Sequence, residues 1–401
     1  MPLSDVRVVD CGQVIAGPLC AAFLGDLGAD VVKVEPPGGE TYRTDRRRLD
    51  GEPFNPAFEL YNRNKRSLAL DLKDDRGLEA LYDLVEAADV FVQNWPPGVA
   101  ERLGTDYETL TELNPDLVYV HITGFGETGP MADRPGMDTI VQHVSGFTSL
   151  LGYDDDRPPI RSQASVADYF AAYSAALSAL AAIRAVDRGE DGQKVDVSLL
   201  ESLAHNMDGA YEYYTNLGEV PSRGGRNAFF NPMMLYGAAE ATDGYVCVAL
   251  LLYSDRVWRG FCELLDRPDL AADERYETDA GRMAEADRFT ELLESWLADR
   301  TVEEAVAALN DHSIPAAPSH SIPEAVELEQ FDHRGTFRDL DHPRFGSLTL
   351  TDTPLALSRD DPSIRYPAPA LGEHGWEVLA ELGYDDERLA AFARDGPLHE
   401  E

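Results

Sequence analysis

Between residues 6 and 122 the chain alternates short apolar runs with stretches of helical spacing, and this alternation restricts it to a parallel sheet with helical crossovers. Residues 6–10, 30–34, 66–72, 90–93 and 117–122 read as strands, with helices at 17–27, 76–87 and 107–113 between them. The pattern predicts an α/β fold with a doubly wound, Rossmann-like sheet. The first strand-to-helix turn, CGQVIAGP, lacks the Gly-x-Gly-x-x-Gly spacing that brings backbone against a pyrophosphate. A nicotinamide dinucleotide site is therefore not expected.

Further along, residues 169–186 are almost entirely Ala, Ser, Leu, Ile and aromatics, which predicts a helix packed closely on several faces. Asp168 opens it. A carboxylate at a helix start is favoured by the dipole and the free N–H groups, and in apolar surroundings it serves as a nucleophile or a base. The same position also suits an ordinary N-cap. Residues 194–198 read as a strand, 199–214 as a helix and 221–231, rich in Gly, Arg and Asn, as a linker. A strand at 244–252 and helices at 254–265, 284–298 and 302–310 then outline a smaller α+β domain. Short strands such as 348–351 and a helix at 376–382 follow. The expected organisation is a large domain over 1–220, a small domain with its linker over 221–322 and a C-terminal part over 323–401.

Charge narrows the partners. The chain carries 73 acidic and 34 basic residues, a formal net charge of −39, and its only lysines are Lys33, Lys65, Lys73 and Lys194. Such a field repels nucleic acids and anionic membranes, so neither is an expected partner. Self-repulsion on this scale calls for screening, which points to a high-salt cytoplasm. Cys11, Cys20, Cys247 and Cys262 show no metal-ligand spacing and read as reduced, buried thiols. No metal site is expected. No apolar run reads as long enough for a membrane span, and the amino terminus shows no leader pattern.

Six segments then resemble, in the same order, those of the class III CoA-transferases, the family of formyl-CoA transferase and carnitine CoA-transferase. They are VVDCGQVIAGPLCAAFLGDLGADVVKVEPPGGE, YNRNKRSLALDLKDDRG, VQNWPPGVAERLG, LNPDLVYVHITGFGETGP, PGMDTIVQHVSGF and ALGEHGWEVLAELG. Asp168, in VADYFAAY, falls at the place of the family nucleophile. The resemblance implies a large Rossmann-like domain built from both chain ends, a small domain from the middle, and an interlocked homodimer. It also implies a reaction. The Asp168 carboxylate attacks an acyl-CoA thioester to give an anhydride and CoA thiolate, and the thiolate returns to form an aspartyl-CoA thioester. An acceptor acid then takes the CoA through a second anhydride. CoA is part of the substrate, and no permanently bound cofactor is required.

By the same resemblance, Gln13, Val14, Ile15 and Ala16 contact CoA from the first strand-to-helix turn. Leu70 and Lys73 match an adenine-side pair, and Asn94, Trp95, Val99 and Arg102 match the loop and helix lining the CoA channel. Lys73 and Arg102 suit phosphate neutralisation in a chain so short of cations, although each also suits an ordinary salt bridge. The formyl-CoA branch carries an arginine where this chain has Pro36, which leaves that phosphate contact to other groups. Asp138 matches an acid that approaches the nucleophile, where it orients the thioester or tunes Asp168; as a lone residue it also reads as a helix N-cap. The racemase branch has a histidine immediately before that acid. Here the residue is Met137, which weighs against racemisation or isomerisation of an α-methylacyl-CoA. Arg223, Arg226 and Tyr213, near the linker, are candidates to face an acceptor carboxylate. Haloarchaeal members of the family suggest succinyl-CoA as donor and a C4 or C5 dicarboxylate such as mesaconate as acceptor, with formate, oxalate, carnitine and aromatic acids as alternatives.

Overall fold

The structure, a computed structural model, describes residues 1–43, 47–228, 234–395 and 398–399. Two compact units emerge: one from Met1–Ser145, Gln163–Asn206 and Glu329–Glu401, the other from Gly146–Ser162 and Met207–Leu328.

The first unit holds a seven-stranded sheet. Its parallel strands are β1 (Arg7–Asp10), β2 (Asp30–Glu35), β3 (Lys65–Leu70), β4 (Val90–Gln93), β5 (Val118–Thr123) and β6 (Lys194–Ser198). The spatial order is β3-β2-β1-β4-β5-β6, with the short C-terminal strand Leu398–His399 antiparallel at the β3 edge. Val8 pairs with Val31 on one side and Val90 on the other, and β4 and β5 are buried along their whole length. Near-continuous apolar strands of this kind need helices on both faces. The crossovers supply them: α1 (Ala16–Asp26), α2 (Asp75–Glu86), the short α3 (Val99–Leu103), α4 (Tyr107–Leu113), α5 (Asp138–Val144), α6 (Val166–Val186) and α7 (Leu199–His205). The chain runs outward from β1 through β2 to β3, then crosses back to lay β4 on the opposite side of β1. That reversal opens a crevice at the carboxyl ends of β1 and β4.

All eleven residues of α1 are buried, and α6, whose buried residues include Ala171, Ala172, Ala175, Ala179 and Ala182, packs against it. Alanine brings the two backbones close, and the Phe23 and Tyr173 rings stack with centroids 4.6 Å apart. Within the chain α6 is packed on several faces, as expected, and only a stripe that includes Tyr173 and Leu177, the latter 71% exposed, is left uncovered. A correction concerns membranes. By length and composition alone α6, with 21 residues, is long and apolar enough to cross one. Here it serves as a core helix, also packed on β5, β6 and α7.

Chain ends meet in this unit. A hairpin of Phe337–His342 with Gly346–Thr351 leads to a helix at Gly375–Glu381 that packs on β3. Arg66 of β3 pairs with Glu377 and Glu381, and Arg7 of β1 also reaches Glu381.

In the second unit Gly244–Ala249 is flanked by Tyr236–Ala241 and Ala316–Pro318 in an antiparallel sheet. Three helices, Asp255–Leu264, Ala286–Leu297 and Val302–Asp311, accompany it, around a core that includes Trp258, Phe261, Tyr276 and Phe289. Two further expectations change. The predicted helix 199–214 stops at His205, because Asp208 and Gly209 both adopt left-handed backbone (φ 50° and 77°). Cys247 is exposed, whereas Cys11, Cys20 and Cys262 are buried free thiols.

The buried alanines of α6 lead to a direct expectation. Ala175→Leu forces a larger side chain into a fully buried position and should destabilise the fold by roughly 1–3 kcal/mol, measured by denaturant unfolding.

Candidate active site

Two carboxylates approach one another at the start of α6, in contrasting environments. Asp138, the first residue of α5, is buried and fully engaged. Its Oδ1 accepts the Ala167 N–H at 2.9 Å and its Oδ2 accepts Gln142 Nε2 at 2.7 Å. It thus bonds an otherwise free N–H in the first turn of α6, while Ser165 at the formal cap position makes no side-chain capping bond. The N-cap readings of both acids are replaced: Asp168 does not cap its helix, and Asp138 serves a neighbouring helix rather than its own.

Asp168 stands in the first turn of α6, and no hydrogen bond reaches its carboxylate among the described residues. Burial, reinforced by the Asp138 charge, pushes its pKa up to about 7. Such a carboxylate remains partly ionised at neutral pH, poorly solvated and unbonded, and those are the properties a nucleophile needs.

This carboxylate lines a cavity of about 500 Å³. The remaining walls come from Ala16 at the start of α1, the loop 94–97 after β4, residues 122–124 at the end of β5, the loop 132–137, and Leu199. They lie at the carboxyl end of the sheet, where the strand order reverses. Asn94 bridges the crevice: its Oδ1 accepts the Gln13 N–H at 2.7 Å and its Nδ2 donates to the Gln13 carbonyl at 2.9 Å. Trp95 is fixed from both sides, its N–H donating to Gln93 Oε1 at 2.8 Å and its carbonyl lying 3.3 Å from His121 Nε2. The loop 132–137 is held by a backbone contact. A Cβ on Gly124 would stand 2.3 Å from Gly136 Cα, and the reverse is equally tight, so neither position has room for a side chain.

Of the sequence candidates, Asp168, Ala16, Asn94 and Trp95 share the cavity wall. Gln13 joins them through Asn94, with Val14 and Ile15 completing the same turn. Asp138 stands behind, bonded to Ala167. Leu70, Lys73, Val99 and Arg102 occupy the same sheet edge but are not in the wall. The Leu70 side chain is fully buried, whereas Lys73 and Arg102 are exposed. Arg223, Arg226 and Tyr213 belong to the second unit and are absent from this wall; Arg226 pairs there with Glu294 and Arg223 donates to the Arg157 carbonyl. Sequence reasoning missed Arg134, whose loop lines the cavity. Its only signal was an arginine beside the PGMD segment.

A larger cavity, about 700 Å³, lies elsewhere in the first unit. Its Asp352 carboxylate is occupied by Arg338 Nε at 2.6 Å and by the Thr353 and Ile364 N–H groups, unlike that of Asp168.

Residues 3–375 match the family described as CoA-transferase family III. The chain belongs to that family. It is therefore an enzyme that transfers CoA between carboxylic acids. It is 37% identical to a succinyl-CoA:mesaconate CoA-transferase of Haloarcula hispanica, over 95% of this chain and 96% of the relative. It is 36% identical to a succinate–glutarate CoA-transferase of Agrobacterium fabrum, over 95% and 96% of the two chains. A crystal structure of a CAIB/BAIF family protein from Brucella suis superimposes with a TM-score of 0.83 at 32% identity, covering 95% of this chain and 99% of that one.

The raised pKa of Asp168 links the transferase's site to its stability. The folded protein holds a proton at pH values where the unfolded chain has released it, so stability falls as pH rises from about 4 to about 7. Asp168→Asn removes that liability. It should raise Tm, and by more at pH 8 than at pH 5; calorimetry at both values checks this.

Proposed function

We propose that this transferase takes CoA from succinyl-CoA to a C4 or C5 dicarboxylate, mesaconate being the leading acceptor, through covalent intermediates on Asp168. The observation that carries this reading is the unbonded, partly buried Asp168 carboxylate on the wall of a cavity at the sheet's switch point. Attack on the thioester carbonyl gives a mixed anhydride and expels CoA as thiolate. Thiolate attack on the aspartyl carbonyl then gives the aspartyl-CoA thioester and frees succinate. The acceptor carboxylate displaces the thiolate to form a second anhydride, and the thiolate attacks the acceptor's acyl carbon, releasing the new acyl-CoA and the carboxylate. Each step exchanges one acyl bond for another, so the thioester free energy is kept. Asp138, with both oxygens hydrogen-bonded, acts as a fixed negative charge that keeps Asp168 basic.

In this reading CoA lies along the carboxyl edge of the sheet. Gln13, Val14, Ile15 and Ala16 meet it from the β1 turn, and Asn94, Trp95, Val99 and Arg102 from the segment after β4. Lys73, Arg102 and the Leu70 main chain hold the nucleotide end. Arg134 takes the distal carboxylate of the dicarboxylate. Its loop lines the Asp168 cavity, and the Gly124–Gly136 contact fixes that loop. Both relatives are named for succinate or succinyl-CoA together with a second dicarboxylate. Racemisation fits less well, because Met137 precedes Asp138 and no histidine lines the cavity among the described residues.

The enzyme works as an interlocked homodimer in a high-salt cytoplasm. Met137, Ile140 and Val144 on and beside α5, with Leu177 on α6, are exposed apolar side chains suited to burial by a second subunit. The net charge of −39 supports the high-salt setting.

A panel of donors and acceptors, followed by mass spectrometry of the acyl-CoA products from low salt to molar KCl, tests this reading. Mesaconate or a close dicarboxylate should be the best acceptor, with activity rising with salt. Arg134→Ala should raise the KM for dicarboxylates at least tenfold and leave monocarboxylates almost unaffected, in line with loss of one charge-assisted hydrogen bond. Preference for a monocarboxylate would overturn the substrate assignment.

A further inference from the structure

Val14 is the one residue of the β1 turn whose backbone conformation its side chain opposes. Its φ is 65°, in the left-handed region where a β-branched residue is a genuine outlier. Strain of this kind persists only where the surroundings impose it, and it concentrates at ligand clamps. The side chain is also exposed, between buried Gly12 and Ile15. The turn is thus forced into a shape that presents Val14 outward.

The hydrogen bonds on residues 12–14 come from side chains. Gly12 donates its N–H to Asp10 Oδ1 at 2.8 Å and accepts Lys33 Nζ at 3.0 Å through its carbonyl. Both main-chain groups of Gln13 are taken by Asn94. The Val14 N–H is bound by Glu40 Oε2 at 2.7 Å, the bond that falls on the strained residue itself. Glu40 is in turn fixed. Its side chain is fully buried, its Oε1 lies 3.0 Å from Lys33 Nζ, and its own N–H donates to Glu35 Oε1 at 3.1 Å. Lys33 therefore holds the turn twice, directly at Gly12 and through Glu40 at Val14.

A buried ion pair is weak evidence for stability, because desolvation consumes most of the Coulombic gain. What the Lys33–Glu40 pair supplies is geometry: two directed hydrogen bonds to consecutive parts of one turn. We propose that Glu40 is a positioning residue, a latch that holds Val14 in the left-handed conformation in which the β1 turn binds CoA. The proposal rests on the reading of that turn as part of the CoA site.

Four enzymes test it: wild type, Glu40→Gln, Val14→Gly and the double variant, each assayed for the KM of acyl-CoA, the KM of the acceptor and kcat. Glu40→Gln keeps the size of the side chain but removes the charge that Lys33 holds. It should raise the acyl-CoA KM about tenfold or more, with kcat and the acceptor KM within threefold of wild type. Glycine adopts positive φ without steric cost, so in the Val14→Gly background the same change should raise the acyl-CoA KM less than threefold. Equal effects in both backgrounds, or parallel losses in all three parameters, would overturn the latch. If Glu40→Gln fails to fold, Glu40→Asp, which keeps the charge but withdraws it by one methylene from Val14, takes its place with the same expected split. Asn94→Ala separates the two levels of the argument. If it raises the acyl-CoA KM while Glu40→Gln does not, the latch alone fails; if neither does, the CoA role of the turn fails with it.

Discussion

A single hydrogen bond, from the Ala167 N–H to Asp138 Oδ1, determines which of two neighbouring carboxylates is chemically available. It satisfies a free donor at the start of α6 and ties up one oxygen of Asp138, while Gln142 takes the other. The carboxylate of Asp168, one residue beyond Ala167, receives no hydrogen bond among the described residues but lies within the field of a fixed negative charge. Exchanging the roles would leave the cavity with a stabilised, weakly basic acid. The packing of α6 on α1 belongs to the same arrangement, since Asp168 in the first turn of α6 shares a cavity wall with Ala16 of α1 and the loop after β4.

The sheet brings these pieces together by topology rather than by sequence proximity. Reversal of the strand order between β1 and β4 sets the Gln13 turn opposite Asn94, 81 positions away, and leaves a crevice between them. The strands are rigid, so groups at their carboxyl ends from distant segments hold defined positions.

Legibility from sequence followed the range of the forces involved. The parallel strands were placed to within one or two residues because burial on both faces writes itself as an uninterrupted apolar run. Asp168 stood out as a candidate because a lone acid before a small-residue helix has few explanations, and the resemblance to a known family points to the nucleophile among them. Tyr236–Ala241 (YGAAEA) went unread, since it has little strand preference and forms a strand by pairing with Gly244–Ala249. Asp138 as a lone residue also read as a local cap, because its partner, Ala167, lies 29 positions on. Arg134 was invisible for a related reason: its place is set by a non-local Gly124–Gly136 backbone contact. The strain at Val14 was equally hidden, as nothing local announces that a buried Glu40 will hold a valine at positive φ.

The central claim is that Asp168 carries the acyl group and the CoA in turn. The most direct measurement is to incubate the enzyme with donor acyl-CoA and no acceptor, trap with hydroxylamine, digest, and locate the modified residue by mass spectrometry. An activated carboxylate is open to amine attack, so the account predicts a hydroxamate on Asp168 and on no other acid, formed only when acyl-CoA is present. A hydroxamate on another residue, or near wild-type transfer by Asp168→Ala, would contradict it.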